Sequence, residues 1–153
     1  MEETAARLRS AGLRPTAPRV AVLAVLEAER AHLTADEVVR AARQRLGALS
    51  VQGAYDVLTA LTTAGLLRRI EPAGSAARYE ARVADNHHHI VCRSCGAMQD
   101  VDCAVGEAPC LVPSSAAGFV LDEAEVTWWG LCPGCQARQQ SKPRIDDEME
   151  ESA

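Results

Sequence analysis

Residues 85–103 have the sequence DNHHHIVCRSCGAMQDVDC, which contains three of the protein's four histidines and three of its six cysteines. Its second half also contains the carboxylates Asp100 and Asp102. Thiolates, imidazoles and carboxylates are the side chains that bind transition metals. We therefore expect this stretch to supply the ligands of metal ions around which the fold is organised.

The length and composition of the chain fit one ordinary domain or two small ones. Its 153 residues are 48% hydrophobic, which is enough for a real core. No apolar run approaches the roughly 20 residues of a membrane-spanning helix, and residues 1–10 lack the apolar segment of a signal peptide. We expect a cytoplasmic protein without a membrane partner, whose cysteines bind metal rather than form disulfides.

Charge is distributed unevenly along the chain. Residues 1–83 carry a net charge of +3 and residues 84–153 a net charge of −8, although the whole chain has a net charge of only −5. A mildly basic segment can approach nucleic acid even within an acidic protein. Residues 1–83 are therefore the candidate nucleic-acid-binding part.

Helix signals fill this first part, and two strand-like runs follow them. We predict helices over 1–12, 17–28, 34–47 and 51–64. Thr34 and Glu37 form a predicted capping box, and Ser50 is a predicted N-cap. Strand-like runs at 66–70 and 77–81 flank a turn-rich segment. This order predicts a winged helix-turn-helix; the alternative is a helical bundle with an added hairpin.

The fourth predicted helix has two different faces. One arc is apolar and is expected to pack inward: Val51, Ala54, Val57, Leu58 and Leu61. The opposite arc is polar, with Tyr55 on the border: Gln52, Asp56, Thr59 and Thr63. Such a helix can dock on the preceding helices and leave a face free to contact a partner.

The second half of the chain consists of short predicted elements. Residues 84–86 are a polar joint and a predicted domain boundary. Strand-like runs follow at 90–92, 98–103, 119–121 and 126–131, with a terminal helical turn at 135–140. Residues 107–118 contain Pro and Gly and are expected to hold little helix. Residues 141–153 are expected to form a disordered acidic tail.

The cysteines form two CxxC pairs, Cys92–Cys95 and Cys132–Cys135. Two such pairs can build the tetrahedral sulfur site that zinc prefers. Structural zinc contributes on the order of 10 kcal/mol to folding, and a small domain poor in aromatic residues needs such a contribution. The alternatives are two disulfides, or a redox-active dithiol at Cys132 and Cys135, which would make this a zinc-scaffolded thiol redox protein.

The histidines of the opening stretch indicate a second site. In an extended segment, His87 and His89 share one face and His88 points to the other. A His-x-His pair needs further ligands, and the candidates are Asp100, Glu80 and His32. The alternative is a solvated run of histidines in a loop.

Several motifs occur in an order that characterises one known family. They are Leu13-Arg14-x-Thr16-x-Pro18-Arg19, His32-x-Thr34-Ala35-Asp36-Glu37-Val38, Tyr55-x-x-Leu58, Gly65-Leu66-Leu67, Arg78-Tyr79-Glu80, His87-x-His89-x-x-Cys92-x-x-Cys95-Gly96 and Gly130-x-Cys132-x-x-Cys135. With these motifs the chain resembles the ferric uptake regulator (Fur) family. Among its members the chain is most similar to the actinobacterial FurA type and the peroxide-sensing PerR group.

The resemblance implies an α+β protein that acts as a metal-dependent repressor. Its parts would be an N-terminal winged-helix DNA-binding domain over 1–83, a hinge over 84–86 and a small C-terminal α/β dimerisation domain over 87–140. Structural zinc would fall on Cys92, Cys95, Cys132 and Cys135, and the regulatory metal on His32, Glu80, His87, His89 and Asp100. A third family site would use His88 and Glu107, but Ala124, flanked by Glu123 and Glu125, replaces its usual histidine.

Two departures from the family pattern bear on function. PerR-type sensors carry an aspartate at the position of Glu80. A glutamate at this position resembles the iron-sensing members instead. The usual Thr-Val-Tyr-Arg of the recognition helix is here Gly53-Ala54-Tyr55-Asp56, which removes a basic side chain. We therefore expect DNA contacts from Arg14, Arg19, Gln52 and Tyr55.

The expected partners are a double-stranded DNA operator and a second copy of the chain, with no small-molecule substrate and no enzymatic activity. The expected regulatory metal is Fe(II) or Mn(II), while Ni(II) and Zn(II) also suit such ligands. Iron-homeostasis or catalase-type oxidative-stress genes are the expected targets. Oxidation could act on His87 and His89 or on Cys103, whereas Cys110 is expected to be an apolar filler. A zinc deaminase is excluded because no His-x-Glu occurs.

Overall fold

The structure is a computed structural model that describes residues 1–29, 32–83, 85, 87–102, 113–121 and 124–140. These residues form an α+β fold, as predicted. The elements in chain order are α1 (Glu2–Ser10), α2 (Ala17–Glu29), β1 (Leu33–Thr34), α3 (Ala35–Leu46), α4 (Val51–Thr63), β2 (Arg68–Ile70), β3 (Arg78–Glu80), β4 (His87–Cys92), β5 (Met98–Asp102), β6 (Thr127–Gly130) and α5 (Pro133–Gln140). Ala84, Asn86 and the predicted acidic tail lie outside the described residues.

The predicted capping box at the start of α3 is confirmed. The Thr34 hydroxyl accepts a hydrogen bond from the Glu37 backbone N–H at 3.3 Å, and the Glu37 carboxylate accepts from the Thr34 backbone N–H at 2.8 Å. The Ser50 hydroxyl likewise accepts from the Gly53 N–H at 2.9 Å at the start of α4. These caps satisfy N–H groups that have no partner within the helix.

The first four helices enclose one apolar core. Its fully buried leucines lie on α1, α2 and α4 (Leu8, Leu23, Leu26, Leu58 and Leu61). Burying a leucine side chain is worth roughly 1.5–3 kcal/mol, so this cluster holds the helices together. Tyr79 of β3 joins the same cluster, which fixes the hairpin against the helices.

The first sheet has the strand order β1-β3-β2, and both neighbouring pairs are antiparallel. The β2–β3 hairpin, which follows the four helices, is the predicted wing. Strand β1 was not predicted, because two residues are too short to show alternation. Its register places Leu33 opposite Tyr79, which brings the preceding His32 next to Glu80.

The second sheet has the order β5-β4-β6, with β4 antiparallel to β5 and parallel to β6. Strand β4 begins at His87 rather than at the predicted Ile90, because the three histidines are buried in the strand. A turn at Gly96, with φ of +72°, connects β4 to β5, and the Gly96 N–H bonds the Cys92 carbonyl at 2.9 Å.

Three predictions need correction. Residues 119–121 form no strand: they follow a turn in which the Phe119 N–H bonds the Ala116 carbonyl, and their side chains are exposed. Val51, assigned to the packed arc of the fourth helix, is 48% exposed because it occupies the first helical position, beyond the neighbouring helices. The predicted terminal turn is a longer helix, α5. Within the described part of the chain, no helix has the length and apolarity needed to cross a bilayer.

Candidate metal centres

Two groups of metal-binding side chains come together among the described residues. One group contains Cys92, Cys95, Cys132 and Cys135, and the other contains His32, Glu80, His89 and Asp100. In each group, every residue offers a donor atom within 4.8 Å of all the others. The two sets correspond to the two predicted sites, except that His87 is not part of the second group.

The cysteine group lies at one end of the second sheet. Cys92 ends β4, Cys95 lies in the turn that follows, Cys132 follows β6 and Cys135 lies in α5. The parallel pairing of β4 with β6 places Cys92 opposite Gly130, so the two CxxC segments emerge side by side. Backbone bonds fix them there: the Arg93 N–H bonds the Gly130 carbonyl at 2.8 Å.

The sulfur spacing fits a tetrahedral zinc site. Sγ of Cys95 lies 3.7 Å from Sγ of Cys132. Four sulfurs at the usual zinc–sulfur distance of about 2.3 Å stand about 3.8 Å apart, whereas a disulfide would need about 2.05 Å. All four cysteines are free thiols.

The surroundings of the cysteine group favour thiolates at two positions and oppose one at a third. The Cys132 backbone N–H, 3.3 Å from Sγ of Cys92, lowers the pKa of Cys92 to about 6. The Ser94 side chain and other neighbours, including Arg138 at 2.8 Å, lower the pKa of Cys135. At Cys95, the Ala97 backbone N–H favours the thiolate, but the other sulfurs outweigh it and raise the pKa to about 11. Four adjacent thiolates therefore need a cation to balance their charge.

The second group draws its members from four different segments. His32 precedes β1, Glu80 ends β3, His89 lies in β4 and Asp100 lies in β5. The antiparallel register places His89 directly opposite Asp100. The alternation predicted from the sequence is present: His87 and His89 face this group, while the ring of His88 packs on the other side against Trp128 at 5.6 Å.

The donor atoms of this group converge on one point. Nε2 of His32 lies 2.7 Å from Oδ1 of Asp100 and 3.0 Å from Oε2 of Glu80. Nε2 of His89 lies 3.7 Å from the same Asp100 oxygen and 3.7 Å from Oε1 of Glu80. His89 is completely buried and Glu80 is 3% exposed.

The arrangement of these atoms suits a bound metal ion better than direct hydrogen bonds between the side chains. His32 Nε2, Glu80 Oε2, both ring nitrogens of His89 and Asp100 Oδ1 are buried without a properly aligned hydrogen bond, although some of them are close together. Buried polar atoms normally have partners. Nε2 of His32, Nε2 of His89 and the two carboxylate oxygens face one centre and lack partners until a cation binds there, whereas Nδ1 of His89 is turned away from that centre. Burial alone would raise the pKa of Glu80, but His32 and His89 outweigh it and lower that pKa to about 2, so Glu80 is an anion.

His87 lies at the edge of this group. Its Nε2 is 3.0 Å from Oε1 of Glu80 and 3.9 Å from Oδ1 of Asp100. Its Nδ1 is 2.9 Å from Oδ1 of Asp85, a residue that had no predicted role. A metal-binding histidine commonly donates its second ring N–H to a carboxylate in this way. The Asp-x-His spacing in the sequence was the available signal for Asp85.

The predicted third site is not assembled by the described residues. His88 is buried, Glu125 is exposed, and the two belong to no common group of metal-binding side chains in that part of the chain. Glu107 and Glu123 lie outside the described residues, as do Cys103 and Cys110. The third site and a redox role for Cys103 therefore stay predictions.

The predicted DNA-contacting residues lie at the surface of the helical part. Tyr55 is 44% exposed on α4, and Gln52 is exposed one turn before Asp56. The Gln52 amide donates a hydrogen bond to Asp56 Oδ1 at 2.8 Å, so one of its donors is already used. Arg14 is exposed in the segment before α2, and its carbonyl accepts a bond from Arg19 at 3.1 Å.

Comparison with known proteins gives a consistent result. Residues 10–126 match the model of the ferric uptake regulator family. The chain is 59% identical over 138 residues to the transcriptional regulator FurA of Mycobacterium tuberculosis, covering 90% of this chain and 93% of that protein. The sequence resemblance to this family is thereby confirmed.

Solved structures show the same fold. The Helicobacter pylori ferric uptake regulator, reported to have three functional metal binding sites, superposes with a TM-score of 0.67 at 22% identity, over 88% of this chain and 90% of that one. The Pseudomonas aeruginosa ferric uptake regulator with manganese gives a TM-score of 0.61 at 27% identity, over 84% and 96% of the two chains.

Proposed function

Because this chain belongs to the ferric uptake regulator family, we propose that it is a metal-dependent repressor whose DNA binding is controlled by a metal held between its two halves. Members of this family are DNA-binding transcriptional regulators and not enzymes. The proposal concerns how this chain is switched, by which ions, and through which residues.

The first part of the proposal is a structural zinc held by Cys92, Cys95, Cys132 and Cys135. The 3.7 Å sulfur spacing and the opposed pKa shifts of these thiols support a dication bound by four sulfurs. This zinc ties the end of the chain's second sheet to α5. A redox role for Cys132 and Cys135 is less well supported, because both belong to one group with Cys92 and Cys95.

The second part is a regulatory metal bound by His32, Glu80, His89 and Asp100, with His87 completing the set. The observation that carries it is the origin of these ligands. His32 and Glu80 come from the helical and wing part before residue 84, and the others come from the second sheet after residue 86. A metal that binds all of them fixes the orientation of one part relative to the other.

We infer the consequence for DNA from this geometry. Residues 1–83 would be the DNA-binding domain, 84–86 the hinge and 87–140 the dimerisation domain. Metal binding would favour the orientation in which α4 can enter the major groove, with Tyr55, Gln52, Arg14 and Arg19 contacting DNA. The exposed face of α4 supports this role.

The donor atoms limit the choice of regulatory metal without deciding it. Three imidazoles and two carboxylates suit Fe(II) or Mn(II), and also Ni(II) or Zn(II). We propose Fe(II) or Mn(II), and control of iron-homeostasis or oxidative-stress genes in the cytoplasm. The similarity to mycobacterial FurA supports this assignment at the level of the family.

A homodimer is the third part of the proposal. On the face of the second sheet that points away from the regulatory ligands, Ile90 and Trp128 are neighbours in register and are 42% and 46% exposed. Two adjacent large apolar side chains at a surface indicate a contact with another molecule. Pairing of two copies through this face would present two recognition helices to successive turns of DNA.

The proposal is tested by comparing His89→Ala with His88→Ala. The two histidines are adjacent and equally buried, but only His89 faces the regulatory ligands. A duplex DNA ligand is first selected from random sequence by the wild-type protein loaded with Mn(II). Fluorescence anisotropy then measures binding of each variant with Mn(II) and with a chelator that leaves the zinc in place.

We expect the wild-type protein and His88→Ala to bind DNA more tightly with Mn(II), and His89→Ala to lose this dependence. Metal analysis should show that all three retain zinc. Unchanged metal dependence in His89→Ala would contradict the proposed switch.

A further inference from the structure

The guanidinium of Arg82 contacts three carboxylates. One of them, Asp100, belongs to the regulatory group, and another, Asp85, contacts His87. The guanidinium lies 2.6 Å from Asp85 Oδ2, 3.4 Å from Asp100 Oδ2 and 2.5 Å from Asp102 Oδ1. Arginine suits this arrangement because its planar guanidinium offers five N–H donors in a fixed geometry. Arg82 follows β3, whereas Asp100 and Asp102 belong to β5.

Arg82 contacts only one of the two carboxylate oxygens of Asp100. Oδ2 faces Arg82, while Oδ1 faces His32 at 2.7 Å and His89 at 3.7 Å. A carboxylate held by one oxygen cannot rotate freely about its last bond. The other oxygen is therefore kept pointing at the histidines.

The contact with Asp85 acts on His87 in a similar way. Oδ2 of Asp85 accepts from Arg82, and Oδ1 lies 2.9 Å from Nδ1 of His87. A carboxylate beside Nδ1 favours the tautomer with its proton on that nitrogen. Nε2 lies 3.0 Å from Oε1 of Glu80, which competes for the same proton, so a metal-ligand role for Nε2 depends on the Nδ1 tautomer that Asp85 stabilises.

We propose that Arg82 is a positioning residue of the regulatory metal site, which orients Asp100 directly and His87 through Asp85. This inference rests on the proposed regulatory site. It adds two residues, Arg82 and Asp85, that bind no metal themselves. Partners of this kind commonly change metal affinity about 10–100-fold when they are removed.

Asp102 provides a matched control. It forms the shortest of the three Arg82 contacts, but its side chain is 84% exposed and it is not part of the regulatory group. Asp102→Asn therefore removes one charge partner of Arg82 and leaves both routes to the ligands intact. A merely structural role of Arg82 would make Asp102→Asn behave like a mild version of Arg82→Gln. A merely electrostatic role would instead make Arg82→Gln bind the cation more tightly, because that substitution removes a positive charge.

The test uses the full chain with its zinc retained, and Co(II) as the probe of the regulatory site. Co(II) absorption gives both an affinity and a spectrum that reports the ligand geometry. We expect Arg82→Gln to bind Co(II) about 10–100-fold more weakly with an altered spectrum. Arg82→Lys should lie between it and the wild type, and Asp102→Asn should remain within about twofold of the wild type.

A second measurement does not depend on metal. Nitrogen-15 NMR of the protein before Co(II) is added should show the same distribution of the His87 ring proton in the wild type and in Asp102→Asn. In Arg82→Gln and Asp85→Ala, the proton should shift from Nδ1 towards Nε2, where Glu80 accepts it. Asp85→Ala keeps the contact between Arg82 and Asp100, so it should lose less Co(II) affinity than Arg82→Gln. If Arg82→Gln does not fold, Asp85→Ala replaces it as the test variant.

The outcomes separate this inference from the proposed function. If the wild type shows no Co(II) site that His89→Ala removes, both are wrong. If that site exists but Arg82→Gln binds Co(II) as tightly as the wild type or more tightly, the positioning role alone is wrong. Equal losses in Arg82→Gln and Asp102→Asn would also overturn it.

Discussion

At the residue scale, the regulatory group is defined by buried polar atoms that lack hydrogen-bond partners. His32 and His89 each offer one such nitrogen, Nε2, to the group, and Glu80 and Asp100 offer one such oxygen each. Leaving a buried polar group unsatisfied costs about 1–3 kcal/mol. Several unsatisfied atoms at one point are stable only if another interaction offsets their cost, and a bound cation would supply that interaction. The same atoms thus account for both the local instability and the metal affinity.

Asp56 is the residue at which this chain departs most from the family pattern, and its effect on DNA can be predicted. It is exposed on α4 and accepts a hydrogen bond from Gln52 at 2.8 Å. Asp56→Ala should strengthen DNA binding, because it removes a negative charge and releases the Gln52 amide. An exposed charge interaction is worth about 0.2–1 kcal/mol, so we expect roughly a 2–5-fold gain by anisotropy.

The control for Asp56 is Glu125→Ala, which removes one exposed negative charge from the C-terminal half. It should leave DNA affinity nearly unchanged. If Asp56→Ala weakens binding instead, Asp56 makes a favourable contact, such as one to the amino group of a cytosine.

The sequence predicts most of the proposed metal ligands but not the residues that orient them. Cysteine spacing and His-x-His alternation identified residues whose roles follow from chemistry and period. Arg82 shows no such pattern, because an arginine near a turn is an ordinary surface residue, and Asp85 shows only its spacing of two residues from His87. Their roles depend on a contact between segments about 18 residues apart, such as that between Arg82 and Asp100, and no local pattern can show it.

At the element scale, helices were predicted better than strands. The caps of α3 and α4 mark their starts in the sequence, and both caps are present. Strand β4 was predicted too short because its buried histidines do not count as apolar residues. Their burial becomes favourable only when Glu80 and Asp100, on other strands, lie beside them.

Gly53 shows how a cap changes an expectation drawn from propensity. Glycine in a helix costs about 0.5–1 kcal/mol relative to alanine, so helix propensity alone predicts that Gly53 weakens α4. In the structure, a Cβ at Gly53 would lie 2.9 Å from the Ser50 hydroxyl oxygen. That oxygen forms the N-cap, so alanine here would gain propensity and disturb the cap.

Zinc bound to the cysteine group should stabilise the contacts with β3 and His32 as well as the second sheet. Arg78 of β3 donates to the Gly96 carbonyl at 2.9 Å and to the His32 carbonyl at 3.0 Å, which connects the Cys92–Cys95 turn to the regulatory ligand. We expect Cys135→Ser to lose zinc and to lower the thermal midpoint by 10 °C or more, since structural zinc contributes on the order of 10 kcal/mol. Its regulatory metal affinity should fall as well.

Metal analysis, calorimetry and a Co(II) titration measure these effects. The control is Cys103→Ser, since Cys103 is outside the predicted zinc group. It should keep zinc and thermal stability. Full zinc content in Cys135→Ser would contradict the assignment of the four cysteines.

At the scale of the whole molecule, the apolar face around Ile90 and Trp128 bears on assembly. Trp128→Glu should convert a dimer to a monomer, because it places a charge in the proposed contact, where charged residues are depleted. Analytical ultracentrifugation gives the mass directly. Val51→Glu adds the same charge at a similarly exposed apolar residue on α4 and should remain dimeric. A dimeric Trp128→Glu would place the contact elsewhere.

In the proposed switch, one metal couples the two halves of the molecule to DNA binding. Its ligands lie on both sides of residues 84–86, so the orientation that binds metal best should be the one that binds DNA best. Coupling of this kind is reciprocal: if metal strengthens DNA binding by some factor, DNA must strengthen metal binding by the same factor. Typical coupling energies of about 1–3 kcal/mol correspond to factors of about 5–150.

The most direct test is therefore the Mn(II) affinity of the regulatory site with and without saturating selected DNA. The proposed switch predicts that DNA tightens Mn(II) binding about 5–150-fold. That factor must match the one by which Mn(II) tightens DNA binding in the same buffer, and it must be absent in His89→Ala. An Mn(II) affinity that DNA leaves unchanged would contradict the account.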